Sequence, residues 1–184
     1  MPSPSLPDAL FLDRVPSPIG AMLVVHDTQG RLRAIEFDDC DARLMQLLRL
    51  HYGPRALCER QAPVMIRDAL ASYFAGNLRA IDCIEVATMG TQFQRDVWAA
   101  LRTIGPGNTL SYSALAARIG RPKAIRAVGA ANGSNPISVV VPCHRVIGAD
   151  ASLTGYGGGI ERKRWLLSHE GAVFKGTGPF RVAA

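Results

Sequence analysis

Near residue 88 the chain changes texture, and that change limits what its 184 residues can build. Before it, apolar stretches alternate with turn-forming residues. Leu10 to Val15 and Ala21 to His26 flank Pro16-Ser17-Pro18-Ile19-Gly20, and Arg31 to Phe37 follows Asp27-Thr28-Gln29-Gly30. Runs of this kind, bounded by Gly, Pro, Ser and Asp, predict an antiparallel meander. Two helices are expected next: Asp41 to Leu50, with Leu44, Leu47 and Leu48 on one face, and Val64 to Phe74, with Ile66, Leu70, Tyr73 and Phe74, before a stop at Gly76.

After residue 88 the pattern is one of short helices. Thr91 and Gln94 have capping-box spacing ahead of Phe93, Val97, Trp98 and Leu101, which predicts a helix to about Thr103, ended by Gly105-Pro106-Gly107. Ser111 or Ser113 can cap a second helix carrying Leu115, Ala116 and Ile119 and stopping at Gly120. Pro122 suits the first turn of a third, which reaches Asn132-Gly133. This is a helix-turn-helix. The expected organisation is a tail at 1–8, an α/β lobe over 9–88, a mainly helical lobe over 89–175, and a tail at 176–184.

Charge divides along the same line. Residues 1–88 carry nine Arg and no Lys against eleven Asp or Glu, net −2, whereas 89–184 carry twelve basic against four acidic residues, net +8. A positive field confined to the half with the helix-turn-helix suits a phosphate backbone. The last of its three helices, Pro122-Lys123-Ala124-Ile125-Arg126-Ala127-Val128-Gly129-Ala130-Ala131-Asn132, has few polar side chains and many small ones. It can press on a DNA backbone but has little with which to read a sequence. No apolar run approaches the ~18 residues of a membrane span. The start, Met1-Pro2-Ser3-Pro4-Ser5-Leu6-Pro7, lacks the charged and apolar regions of a secretion signal, so a cytosolic protein is expected.

Cysteines occur at 40, 58, 83 and 143, with no zinc-site spacing. Cys143 stands apart because of its neighbours. Val139-Val140-Val141 reads as a buried strand that runs into Pro142-Cys143-His144-Arg145. Adjacent strand residues point to opposite faces, so Cys143 and His144 can cooperate only if Pro142 starts a turn. A nucleophilic thiol needs a base, and the base an orienting group. His144 and a carboxylate such as Glu170 can complete such a set.

The stretch Asn135 to Gly148, with Pro142-Cys143-His144-Arg145-Val146 at its centre, resembles the O6-alkylguanine-DNA alkyltransferases. So do Leu153-Thr154-Gly155-Tyr156-Gly157-Gly158-Gly159 and Lys163-Arg164-Trp165-Leu166-Leu167. The resemblance covers roughly residues 90–172 and extends more weakly to Tyr73-Phe74-Ala75-Gly76-Asn77-Leu78, in the manner of the bacterial stand-alone form. It implies a ribonuclease-H-like α/β lobe followed by a winged-helix lobe whose recognition helix enters the minor groove of duplex DNA. It further implies stoichiometric, irreversible transfer of an alkyl group from O6-alkylguanine to Cys143 after nucleotide flipping, with no cofactor; no metal is expected, because the sequence offers no credible ligand set and the zinc site of some larger relatives is not recognisable in the first lobe. His144 then takes the thiol proton through a bridging water, and Glu170 orients the imidazole. Asn135 resembles the family's hinge asparagine, Tyr112 the tyrosine that rotates the nucleotide and protonates the leaving guanine, and Arg126 the arginine finger; Lys123 and Ala127 lie beside it against DNA. Val146, Tyr156 and Gly157 correspond to the substrate pocket, and Gly157, where some members have Ser, implies a roomier one. Gln92 stands where relatives often have Pro. A monomer in solution is expected, and cooperativity on DNA, activity on O4-alkylthymine and alkyl-size preference stay open.

Three other readings compete. A binding-only relative lacks the acceptor cysteine, a helix-turn-helix regulator needs base readers and a dimer surface, and a cysteine hydrolase turns over repeatedly.

Overall fold

The computed structural model describes residues 6–176, so residues 1–5 and 177–184 of the two expected tails lie outside it. Strands β1 (Leu10–Val15), β2 (Met22–Asp27) and β3 (Leu32–Phe37) form the expected antiparallel meander. At its second turn, Asp27 Oδ1 accepts the N–H groups of Gln29 and Arg31 at 2.9 and 3.0 Å, and Gly30 takes the left-handed conformation. The buried Asp27 carboxylate is paired with the equally buried Arg33 guanidinium at 2.7 Å. Helix α1 (Asp41–Tyr52) packs on β3, and a short strand β4 (Leu57–Glu59) adds to the far edge parallel to β1, giving the order β3-β2-β1-β4. β4 was not expected. It has three largely polar or exposed residues, too few to show a period-2 pattern. Helix α2 spans Val64–Phe74, with the bounds the sequence implies.

The sheet is covered on both faces, which explains why β2 and β3 are buried along their whole length. One face, with Leu10, Leu23, Val25 and Ala34, packs against Leu44, Leu48 and Tyr52. The other, with Met22, Val24, Ile35 and Phe37, joins α2 and continues into Val97, Trp98, Leu101 and Leu115 of the second half. The lobes therefore share one apolar core.

The second half is built on helices α3 (Gln92–Arg102), α4 (Tyr112–Arg118) and α5 (Ile125–Gly133), then α6 (Ile160–His169), with a two-residue parallel ribbon of β5 (Leu110–Ser111) and β6 (Val146–Ile147). The Thr91 capping box is formed on both sides, and Ser111 caps α4 through Ala114 N–H at 3.1 Å. Two expectations are corrected. Pro122 and Lys123 lie in the turn before α5, not in its first turn, because residues 121–124 close separately through an Ala124 N–H to Arg121 O bond of 2.8 Å. Val139 to Val141 form no strand: Val139 has φ 71°, and Val141 N–H turns back to Ile137 O at 3.0 Å. A β-branched residue in that region costs on the order of 1–3 kcal/mol and persists only where its surroundings impose it. They do so here. Ile35 of β3 accepts from Ser138 N–H at 3.0 Å and donates to Pro136 O at 2.9 Å, so the free edge of β3 takes up this segment.

Candidate active site

Asn135, just past α5, organises the approach to Cys143. Its backbone N–H donates to Asn132 O at 3.3 Å, and its fully buried amide faces the following loop. Oδ1 accepts from Ile137 N–H at 3.0 Å, while Nδ2 donates to Val141 O at 2.8 Å and lies 3.1 Å from Cys143 Sγ. Asn135 thus meets α5 through its backbone and the loop before Cys143 through its side chain. Pro142 ends that loop, and Cys143–Arg145 form a single 3-10 turn, the departure from extended chain that joint work by Cys143 and His144 requires.

Below this turn, Glu170 caps the end of α6 inside the protein. Its carboxylate accepts His144 Nε2–H at 3.1 Å, Arg145 Nε and Nη2 at 2.9 and 2.8 Å, and the Tyr73 hydroxyl at 2.7 Å. Arg145 also donates to Ile104 O. Burial alone raises the Glu170 pKa, but contact with His144 and with the Arg145 guanidinium outweighs it, leaving the carboxyl well below the usual range. Burial pushes His144 the other way, toward the neutral imidazole, so the charge that holds Glu170 ionised is that of Arg145. With Nε2–H committed to Glu170, the buried Nδ1 is left as the acceptor, and it makes no hydrogen bond to the described protein atoms. Burial also raises the Cys143 thiol, against the Asn135 hydrogen bond and the positive charges of Arg43 and Lys163. The resting pair is a protonated thiol beside a neutral imidazole.

Cys143, 6 % exposed, opens on a cleft of about 420 Å³ lined by Arg43, Tyr112, Asn132, Ser138, Tyr156 and Gly157 among others. The Tyr112 hydroxyl is 2.9 Å from Thr154 Oγ1. A larger groove of about 630 Å³ between α1 and β4 contains no cysteine, histidine or carboxylate, so size does not mark the chemical site.

The methylated-DNA–protein-cysteine methyltransferase of Salmonella typhimurium is 55% identical to this chain over 164 residues, 88% of this chain and 96% of that protein. The chain belongs to the methylated-DNA–protein-cysteine methyltransferase family. The Haemophilus influenzae protein of the same name is 41% identical over 175 residues, 92% of each chain. Residues 92–172 match the family model described as 6-O-methylguanine DNA methyltransferase, DNA binding domain. A crystal structure of Mycobacterium tuberculosis OGT in complex with DNA superposes with a TM-score of 0.74 at 39% identity, covering 88% of this chain and 92% of that one.

Of the residues this methyltransferase sequence singles out, Cys143, His144, Glu170 and Asn135 come together, and Tyr112, Tyr156 and Gly157 line the same cleft. Lys123, Arg126 and Ala127 are exposed on α5 and the turn before it. Val146 is buried and is not among the residues lining the cleft; its carbonyl accepts Lys163 Nζ at 2.6 Å. That ammonium, also bonded to Thr154 O at 3.1 Å, is pushed down to about 8 by burial. Lys163, Arg145, Tyr73 and Arg43 carry no signal in the sequence that ties them to the site. Arg145 follows His144 directly and Tyr73 opens the weakly matching segment, but nothing local tied either to Glu170.

Proposed function

We propose that this chain repairs duplex DNA containing O6-alkylguanine by direct reversal, with Cys143 Sγ as the alkyl acceptor. The observation that carries this reading is the set of contacts around Cys143: its sulfur faces a cleft and an Asn135 N–H, while the next residue's imidazole is wired to a buried carboxylate. His144 Nδ1 takes the thiol proton through a bridging water, and Glu170, held ionised by Arg145, stabilises the imidazolium that forms. The sulfur attacks the alkyl carbon. The S–C bond forms as the C–O6 bond breaks, and its electron pair leaves with guanine, which Tyr112 protonates. A thioether has no easy reverse reaction, so each protein molecule acts once.

A sulfur only 6 % exposed cannot meet a base still stacked in a duplex, so the nucleotide must rotate out. Arg126, exposed on α5, fills the vacated stack; Ala127 allows close approach of the helix to the minor groove, and Lys123 meets phosphate. The +8 charge of residues 89–184 and the DNA complex of the Mycobacterium tuberculosis protein support duplex DNA as the partner. Cys143→Ser tests the assignment. It is expected to bind duplex with O6-methylguanine as the parent does and to transfer no methyl group; residual transfer places the acceptor elsewhere.

A further inference from the structure

The absent side chain at position 157 suggests extra room in the cleft, but that room is filled from the other lobe. A Cβ on Gly157 meets Arg43 Cζ at 2.6 Å and its Nε and Nη2 at 2.8 Å. An arginine tip ordinarily swings away from such a contact. Arg43 is not free to. Its Nη1 pairs with Glu36, which is fully buried in β3, and its Nη2 donates to Gly133 O at 2.7 Å and Asn135 O at 3.3 Å. The guanidinium is therefore fixed by the sheet of the first lobe, by the end of α5, and by the turn that holds the nucleophile's loop, and moving it leaves the Glu36 carboxylate buried without its charge partner. Within that frame it lines the cleft together with Cys143, Ser138 and Tyr156.

We propose that Arg43 is the specificity-determining wall of this cleft: its locked guanidinium takes the place of a side chain at 157 and sets the size of alkyl group that reaches Cys143. The inference rests on the repair reading above and deepens it. Arg43 and residue 157 act as a pair in which only one can hold the space. A side chain at 157 with Arg43 present distorts the cleft; the same side chain with Arg43 shortened fits.

The test uses the full chain in four forms: parent, Arg43→Ala, Gly157→Ser and the double variant. Single-turnover rate constants are measured on duplexes carrying O6-methylguanine or O6-benzylguanine. The benzyl-to-methyl ratio within one preparation is independent of the fraction of folded protein, so a general loss of stability does not move it. Arg43→Ala is expected to raise that ratio about 10-fold or more, the low end of size discrimination by a pocket. Gly157→Ser is expected to slow methyl transfer about 10-fold or more, and the double variant to recover it to within about 3-fold of Arg43→Ala alone. Should Arg43→Ala not fold, Arg43→Lys, which keeps charge and loses width, shifts the ratio the same way by less. An unchanged ratio in the Arg43 variant that folds, a Gly157→Ser protein as fast as the parent, or a double variant slower than Gly157→Ser overturns the proposal. A parent that transfers neither group overturns instead the repair reading on which it rests.

Discussion

Replacing Glu170 with Gln removes one negative charge and changes little in shape, so its consequences can be worked from contacts. The carboxylate is 4 % exposed and receives two bonds from Arg145, itself 3 % exposed, one from His144 and one from Tyr73. A glutamine can keep the Tyr73 bond, but its amide N–H groups oppose one of the Arg145 donors, and the guanidinium stays buried without a counter-charge. Removing one partner of a buried ion pair costs about 3–5 kcal/mol. That is a large part of the ~5–15 kcal/mol by which domains are stable. At about 2–4 °C per kcal/mol for a chain of this size, Tm falls by about 6–20 °C. Tyr73→Phe, which leaves the charges paired, is expected to cost about 1.5 kcal/mol, the low end for a bond to a charged group. Thermal melts followed by circular dichroism measure both. Single-turnover transfer at a temperature where Glu170→Gln remains folded is expected to be at least about 100-fold slow, the scale of lost general-base assistance. A Tm loss under about 2 °C, or a rate near the parent's, refutes the role given to this carboxylate.

The transfer rate is expected to hold steady from neutral pH downward and to decline only below the ordinary histidine pKa of about 6.5, because burial lowers His144 and keeps it an available base; an acid limb centred above that value contradicts a neutral resting imidazole. Stability moves in the same direction: His144 and Glu170 both have folded-state pKa values below their unfolded ones, so the unfolded chain binds more protons and urea midpoints fall as pH drops through the histidine and carboxylate ranges. Arg126→Ala is expected to slow repair of duplex about 10- to 100-fold, from an unstacking cost of a few kcal/mol, and to leave reaction with free O6-benzylguanine nearly unchanged. If Arg126→Lys restores duplex repair fully, Arg126 is a phosphate contact rather than a stacking group.

What could be read in the sequence was mostly local. The capping box at Thr91 and Gln94, the Ser111 cap, the Asp27 turn and the periodicity of Val64–Phe74 are decided by residues a few positions apart, and their elements stand where the pattern places them. The valine run at 139–141 failed for the opposite reason. Its β-propensity yields to Asn135, which captures Val141 O, and to the edge of β3, which captures Ser138. The site divides in the same way. Cys143 and His144 are adjacent, so their pairing was visible, and the family resemblance supplied Glu170. By its position near a helix end Glu170 alone suggests a solvated carboxylate. Its burial depends on Arg145, 25 positions away, and on Tyr73, 97 positions away, and no spacing rule connects either pair. Arg43 was the least legible. It belongs to a lobe whose sequence carries no chemical motif, and it enters the cleft only because β3 and the Asn135 turn lie side by side in the fold.

The proposed repair reaction has Cys143 accept one alkyl group once. Incubating the protein with an excess of duplex carrying radiolabelled O6-methylguanine, counting methyl groups per protein, and mapping them by peptide mass addresses it directly. The expected result is one methyl group per molecule, confined to the tryptic peptide spanning 127–145 and located on Cys143, with no further transfer when fresh substrate is added. Several methyl groups released per protein molecule, or a label on Cys40, Cys58 or Cys83, rules out Cys143 as the single-use acceptor.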